Sequence, residues 1–175
     1  MSASPLIVYL SLVALIALQR LNEMRRSAAH EAALKERGGY EVGAGHFPVM
    51  RALHTLWLVS CVVEATLLEI PYSRGVAGVG LVALLMGQGL RIAAIHALGK
   101  RWTVRVLVVP GEALVEHGIF RWIRHPNYVG VVIEMAALPL VFGCWWTAAV
   151  FSVGNLLLLR HRIGVEEAAL AEASR

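Results

Sequence analysis

Apolar residues in this chain are gathered into runs close to the length, about 20 helical residues, that crosses roughly 30 Å of hydrocarbon. The first run covers 5–18 and continues through Gln19, Arg20 and Leu21, with no charge before Arg20. A second, 47–70, contains Arg51, His54 and Glu64 and stops at Pro71; a third, 76–98, contains Gln88, Arg91 and His96. A fourth opens at Pro126 and ends at Phe142-Gly143, and a fifth covers 145–159, which leaves room only for a tight hairpin between them. Between the first two runs, 22–45 carries Arg25, Arg26, Lys35 and Arg37 and is broken at Gly38-Gly39 and again over 43–45, predicting a partly helical, water-facing connector. The pattern predicts an all-α, polytopic integral membrane protein with five transmembrane helices. It forms one membrane domain over 1–175, with three spans in 1–98 and a connector, helical hairpin and tail in 99–175.

The basic residues orient these spans. Of sixteen Lys and Arg, only Arg74 falls in a loop on the N-terminal side, and Arg51 and Arg91 lie within segments; the others border or follow the opposite side. The positive-inside rule then puts the N-terminus outside and the C-terminus in the cytoplasm, with the protein in the cytoplasmic (inner) membrane. With no basic residue ahead of it, the first run reads as a retained span rather than a cleaved signal. Connector 99–125 and the tail after Leu159 therefore share the cytoplasmic face, where any chemistry with a polar cofactor belongs.

Composition narrows the chemistry. Only 16% of residues are charged and 58% are hydrophobic, against about 25% charged in soluble domains, which excludes a soluble globule. The net charge of +4 does not indicate nucleic acid, because the basic residues flank apolar runs instead of forming one solvated stripe. All twelve acidic residues are Glu, so an Asp dyad, a Ser/His/Asp triad and an Asp-held magnesium are excluded. Cys61 and Cys144 lie in or beside apolar runs without a CxxC, and the seven histidines lack paired ligand spacing, so neither a disulfide nor a metal site is expected. Gly78-Val79-Gly80-Leu81-Val82-Ala83 matches GxGxxA but lies inside a span, where small residues serve close helix packing.

Two segments carry candidate chemistry. In connector 99–125, Thr103 to Val109, the Pro110-Gly111 turn and Glu112 to Val115 predict a short hairpin lying on the membrane surface. After Gly118, Phe120 to Tyr128 packs aromatics and cations immediately before a span, and Pro126 suits the first helical position, leaving the amides of Asn127 and Tyr128 free to receive an anion. The plainer reading is a girdle that anchors the chain at the membrane surface. The fifth helix continues past the membrane and sets Arg162 and Glu166 one turn apart.

Arg-His-Pro-Asn-Tyr at 124–128 together with Arg-Ile-x-x-Glu-Glu-x-x-Leu at 162–170, separated by a helical hairpin, resembles the isoprenylcysteine carboxyl methyltransferase family over roughly 99–171. Arg-His-Pro alone also occurs in membrane reductases and phospholipid methyltransferases. The resemblance implies S-adenosylmethionine as cofactor, which makes 99–125 a cytoplasmic cofactor-binding connector. Carried over by position, the cofactor pocket uses Glu112, Ala113, Leu114, Val115, Phe120, His125, Pro126, Asn127, Tyr128 and Glu166; Phe120 stands where the family usually has Tyr. Arg162 corresponds to the family arginine that orients the substrate. In the N-terminal half, Gln19-Arg20-Leu21-x-Glu23, Gly45-His46-Phe47 and Leu53-His54-Thr55-Leu56-Trp57 are similar to a bacterial branch that resembles O-methyltransferases of alkylpyrones and alkylresorcinols.

The expected function is methyl transfer to the hydroxyl of such a membrane-soluble polyketide lipid. Carboxyl methylation of a prenylcysteine-like substrate, an NADPH-dependent membrane reductase and a non-catalytic lipid-binding protein are the alternatives. Methyl transfer from a sulfonium needs no metal, and orientation can contribute about 7–11 kcal/mol of the barrier. Arg162, Glu134 and Glu167 are the catalytic candidates; Arg162, His54 and Glu134 are the substrate-facing ones. Glu134 lies six residues past Tyr128, about 9 Å deeper by helical rise. An equally weighted alternative pairs Glu134 or Glu64 with Arg91 in the service of helix packing, because an unpaired charge at that depth is costly. The expected partners are the bilayer and a lipid drawn from it, with no nucleic acid and no metal; a homo-oligomer is compatible with this reading.

Overall fold

The computed structural model describes residues 3–173. Helix α1, Ala3–Glu36, is unbroken over 34 residues, about 51 Å at 1.5 Å per residue. It therefore outruns the hydrocarbon and carries Arg25, Arg26 and Lys35 beyond its apolar half. It ends where Gly38 takes a positive φ of 84° and the Gly39 amide returns to the Leu34 carbonyl at 2.9 Å, a left-handed stop that glycine adopts without steric cost. Helices α2, His46–Leu67, and α3, Arg74–Leu98, follow. Together with α1 they are long and apolar enough to cross a membrane. Helix α4, Pro126–Leu140, has 15 residues and α5, Trp145–Ala173, has 29. The outward faces are apolar: Leu15 and Leu18 on α1, Leu56 on α2, Val79 and Leu85 on α3 and Leu157 on α5 are all exposed, the surface a hydrocarbon solvent selects.

Inside, Tyr9 and Ile16 of α1, Trp57 and Cys61 of α2, Leu84 of α3, and Met135 and Leu138 of α4 form one buried cluster. Tyr9 stacks on Phe142 with ring centroids 5.1 Å apart. The backbones of α3 and α4 come closest where glycine faces glycine: a Cβ on Gly130 would lie 2.7 Å from the Gly87 carbonyl oxygen and 2.6 Å from Arg91 Cγ. Gly80 likewise abuts the end of α4, whereas Gly78 faces open space, so of the two GxGxxA glycines only Gly80 packs.

Backbone groups orphaned by this sequence are answered by side chains. Pro139 has no N–H to give the Met135 carbonyl, and Trp57 Nε1 donates to that oxygen at 3.1 Å. Glu64 accepts from the Thr147 amide at 2.7 Å and the Trp146 amide at 3.2 Å, placing a carboxylate at the positive end of α5. Glu64 is thus a cap for α5 and does not pair with Arg91. The partner of Arg91 is Glu134: Arg91 Nε lies 3.3 Å from its carboxylate, Arg20 donates to the same oxygen, and both guanidiniums also reach Glu23. Gln19 joins this group to Gln88 at 2.8 Å. Two cations and two carboxylates from α1, α3 and α4 therefore cancel among the helices.

The expected hairpin within the connector is not formed. Strand β2, Val106–Val108, pairs antiparallel with β1, Tyr40–Val42, matching Tyr40 with Val108 and Val42 with Val106. Arg105 binds Glu41 at 2.7 Å and Arg101 binds Glu112 at 2.9 Å. The first pair draws β2 toward the α1–α2 connector, the second ties Glu112 to the end of α3, and Pro110 lacks a ladder donor. This two-stranded ribbon is the one departure from all-α among the described residues.

Candidate functional site

At the end of the bundle where α1 and α5 outrun their apolar segments lies a cavity of about 480 Å³, within the range of small-molecule sites. The start of α4 contributes His125, Pro126, Asn127 and Tyr128, the extension of α5 contributes Arg162, Glu166 and Glu167, and the connector contributes Trp102, Arg105, Glu112, Leu114, Val115, Glu116 and Phe120. Pro126 is at the first helical position and no side chain caps α4, so the first amides of that helix stand beside the cavity as uncommitted donors. On α5, Arg162, Glu166 and Leu170 all line the cavity, since i, i+4 and i+8 fall on one helical face.

Tyr128 links the two helices. Its hydroxyl donates to Glu166 and accepts from Arg162 Nε at 2.9 Å, and the guanidinium lies 5.5 Å from the ring centre. Arg162 and Glu166, one turn apart, therefore communicate through this phenol instead of forming the surface ion pair that their spacing allows. Arg162 is only 4% exposed; its remaining partners are the Val104 carbonyl and the Met50 thioether. Beside this group His125 stacks on Tyr128, donates to Glu167 at 3.0 Å and is joined there by Arg124 at 3.1 Å. The hydrogen bond from His125, with the Arg124 charge behind it, holds the Glu167 carboxyl below the usual carboxylate range.

The lining carries four carboxylates, Glu112, Glu116, Glu166 and Glu167, and four guanidiniums, Arg101, Arg105, Arg124 and Arg162. Such a balance suits a ligand bearing both signs of charge. Asn127 Oδ1 and Trp102 Nε1 are buried without a hydrogen-bond partner among the described residues, and buried polar atoms of this kind are ordinarily paired. An acceptor, a donor and open helix amides on one cavity can serve an amine, hydroxyls and a carboxylate together.

Of the residues singled out in the sequence, Glu112, Leu114, Val115, Phe120, His125, Pro126, Asn127, Tyr128, Arg162, Glu166 and Glu167 line this cavity. Ala113 does not, but its carbonyl accepts from Arg101 at 2.7 Å and so fixes the segment beside it. Glu134 and His54 are not brought to the cavity: Glu134 is 1% exposed within the Arg20–Glu23–Arg91 group, and His54 Nδ1 bonds the Met50 carbonyl on its own helix at 2.9 Å. Leu34, Leu98, Trp102 and Arg105 line the cavity without having been singled out. Trp102 and Arg105 had a readable signal, the same aromatic-and-cation texture after a span that marks 120–128 before one; Leu34 had none.

Comparison with known proteins adds the following. The model of the isoprenylcysteine carboxyl methyltransferase (ICMT) family matches residues 79–172, from within α3 to the end of the α5 extension. The chain is 36% identical over 163 residues to the Bacillus subtilis protein YpbQ, covering 93% of this chain and 96% of that one. It is 30% identical over 94 residues to protein-S-isoprenylcysteine O-methyltransferase A of Arabidopsis thaliana, and 27% identical over 124 residues to protein-S-isoprenylcysteine O-methyltransferase of Saccharomyces cerevisiae. Those alignments cover 53% and 65% of this chain, but 48% and 44% of the two enzymes.

Proposed function

The chain belongs to the isoprenylcysteine carboxyl methyltransferase family, and on that premise we propose that this membrane methyltransferase uses S-adenosylmethionine to methylate an oxygen of a lipid drawn from the bilayer. All five helices cross the membrane, with the N-terminus outside and the cavity and tail at the cytoplasmic face. Helices α1 to α3 form the acceptor side and 99–175 the cofactor side.

The observation that carries this reading is the chain of contacts Arg162–Tyr128–Glu166 on a cavity that meets the polar end of an apolar bundle. The residues fit the cofactor. Asn127 Oδ1, with no partner of its own, and Glu166 offer acceptors for its amine and hydroxyls; the open amides of α4 suit its carboxylate, and the Phe120 ring needs no hydroxyl to pack against a base. Bound there, S-adenosylmethionine supplies a methyl group on a positively charged sulfur. Arg162 holds the acceptor oxygen by a hydrogen bond and by charge. Tyr128 fixes the guanidinium from one side, and Glu166 fixes Tyr128. Arg37 and Arg101 tie Glu112 down at the cavity, and Arg101 also holds the Ala113 carbonyl.

The family's description, with the isoprenylcysteine in the names of the plant and yeast relatives, sets a carboxylate acceptor, as in a prenylcysteine, ahead of the alkylpyrone or alkylresorcinol hydroxyl. A carboxylate arrives ionised, so no base is required, in keeping with Glu134 being spent on Arg20 and Arg91. The hydroxyl stays as a second reading because residues 1–78, which include α1 and α2 of the acceptor side, lie outside the family match.

Calorimetry on the purified protein tests the cofactor. S-adenosylhomocysteine is expected to bind; binding of NADPH in its place would make the protein a reductase, and binding of neither would make it non-catalytic. Transfer of labelled methyl to N-acetyl-S-farnesylcysteine, an alkylpyrone or an alkylresorcinol then tests the acceptor.

A further inference from the structure

The part of α1 beyond its apolar run presents one stripe to the rest of the molecule: Glu23, Ser27 and Leu34 are buried and His30 and Glu31 half-buried, the spacing of a single helical face. Glu23 belongs to the Arg20–Arg91 group and Leu34 lines the cavity. Between them the stripe grips the connector. His30 Nδ1 donates to the Trp102 carbonyl at 2.7 Å, Ser27 Oγ accepts from the Val104 amide at 2.8 Å and donates to Glu31 at 2.6 Å, and Glu31 lies 3.4 Å from Arg105 Nε.

Ser27 is 1% exposed, and a buried serine within a helix can turn its hydroxyl onto the carbonyl four residues back. Here the Glu31 carboxylate takes the hydrogen, which leaves a lone pair for Val104. Val104 is thereby held by both of its backbone groups, its amide by α1 and its carbonyl by Arg162 of α5. Arg162 in turn has the Tyr128 hydroxyl on its Nε. The guanidinium is aimed from two sides, by α4 through a phenol and by α1 through the connector backbone.

We propose that Ser27 is a positioning residue for the transfer: by fixing Val104 it sets the carbonyl that orients Arg162, and so the direction in which Arg162 meets the acceptor oxygen. The proposal rests on the oxygen-methylation reading above and adds a residue of α1, outside the matched segment 79–172, to the groups that shape the site. Ser27 itself acts only through Val104 and Arg162.

The test uses full-length Ser27→Ala, Ser27→Cys and Ser27→Thr, with whichever of N-acetyl-S-farnesylcysteine and an alkylpyrone the wild-type protein methylates. S-adenosylhomocysteine affinity reports an intact cofactor side, and backbone hydrogen exchange over 102–105 reports the tie to α1. Ser27→Ala removes the hydroxyl, Ser27→Cys keeps nearly the same size with a weak acceptor, and Ser27→Thr keeps the hydroxyl. In Ser27→Ala and Ser27→Cys, kcat is expected to fall about tenfold, because a misaimed group costs orientation. The acceptor KM should stay within about threefold, because the Arg162 charge is still present, and S-adenosylhomocysteine affinity within about twofold. Exchange over 102–105 should quicken about fivefold, the size of one lost hydrogen bond. Ser27→Thr should recover kcat to within about threefold of wild type. Retained kcat in Ser27→Ala or Ser27→Cys, unchanged exchange over 102–105, or loss of S-adenosylhomocysteine affinity in step with kcat overturns the proposal. So does a Ser27→Thr protein that binds S-adenosylhomocysteine yet turns over no faster than Ser27→Ala. If the wild-type protein binds no S-adenosylhomocysteine or methylates neither probe, the underlying function has failed instead, and hydrogen exchange still shows whether Ser27 holds Val104.

Discussion

Replacing Glu134 by Gln separates a structural carboxylate from a catalytic one. Glu134 is 1% exposed and shares one oxygen between Arg20 and Arg91, while Glu23 serves both cations from the other side. The wild-type group is neutral, two guanidiniums against two carboxylates; Glu134→Gln leaves a net charge of +1 among α1, α3 and α4. Removing one partner of a buried ion pair costs about 3–5 kcal/mol. Arg20 keeps some access to water, with 17% of its side chain exposed, so the lower end, about 3 kcal/mol, is expected. For a chain of this size that corresponds to roughly 6–12 °C in Tm. The assay is thermal unfolding of the detergent-solubilised protein followed by tryptophan fluorescence, alongside kcat at several pH values. The double variant Arg20→Gln/Glu134→Gln restores neutrality and should recover about 1–2 kcal/mol of the loss, the scale of coupling between residues in contact. The reasoning is refuted if the double variant is no more stable than Glu134→Gln, or if the single variant keeps its Tm while kcat falls and loses its pH dependence, the signature of a general base.

Three other substitutions probe different links. Tyr128→Phe leaves Arg162 Nε and Glu166 without their shared hydroxyl at a cost of about 1–3 kcal/mol, so Tm should fall by roughly 2–12 °C, and with Arg162 no longer held in place kcat/KM should fall by about fivefold or more; a loss in kcat/KM below twofold would remove the phenol from the mechanism. Gly130→Ala drives a methyl group into the Gly87 carbonyl and Arg91 Cγ and should destabilise by about 1–3 kcal/mol, read as a lower Tm, whereas the same change at Gly78, which meets nothing within 4 Å, should be silent. Glu167 has its folded pKa held below 4.5 by His125 and Arg124, so the pairing is complete above that value and is lost as pH falls through the folded pKa. S-adenosylhomocysteine binding in wild type should therefore weaken only below about pH 4.5, and a Glu167→Gln variant showing the same acid limb would exclude Glu167 as its source.

Helices α2 to α5 were legible because each apolar run is long and its stops are chemical, Pro71 before α3 and Gly143 before α5; the first helix was read only to Leu21, and the structure carries it unbroken through the basic stretch to Glu36. The residues of the cavity were legible for a different reason, namely that Phe120 to Tyr128 and Arg162 to Leu170 carry the two motifs of the family that the chain resembles, and the helical hairpin between them brings both to one cavity. What failed were contacts made between distant segments. Strand β2 has apolar character that matches a local hairpin, yet its partner is Tyr40–Val42, more than sixty residues away. Nothing in either segment names the other; the Arg105–Glu41 pair that aligns them is visible only in three dimensions. Glu64 likewise reads as a costly intramembrane charge until the bare amides of α5 are set against it.

Arg91 and Arg162 show most sharply where sequence reading stops and electrostatics takes over. Both are arginines in or beside apolar helices, and both are almost wholly buried, at 2% and 4% exposure. Arg91 faces two carboxylates and is neutralised within the bundle. Arg162 faces a phenol, a carbonyl and a thioether, none of which carries a formal charge. A buried cation is expensive unless an anion completes it, so the protein has met that cost internally at Arg91 and left it open at Arg162. The open one stands on the wall of the cavity. On the proposed reading the missing charge is the acceptor oxygen, and this gives the same force two outcomes: at Arg91 it fixes three helices to one another, while at Arg162 it favours the ionised form of whatever enters. The acceptor is then selected first by charge, through Arg162.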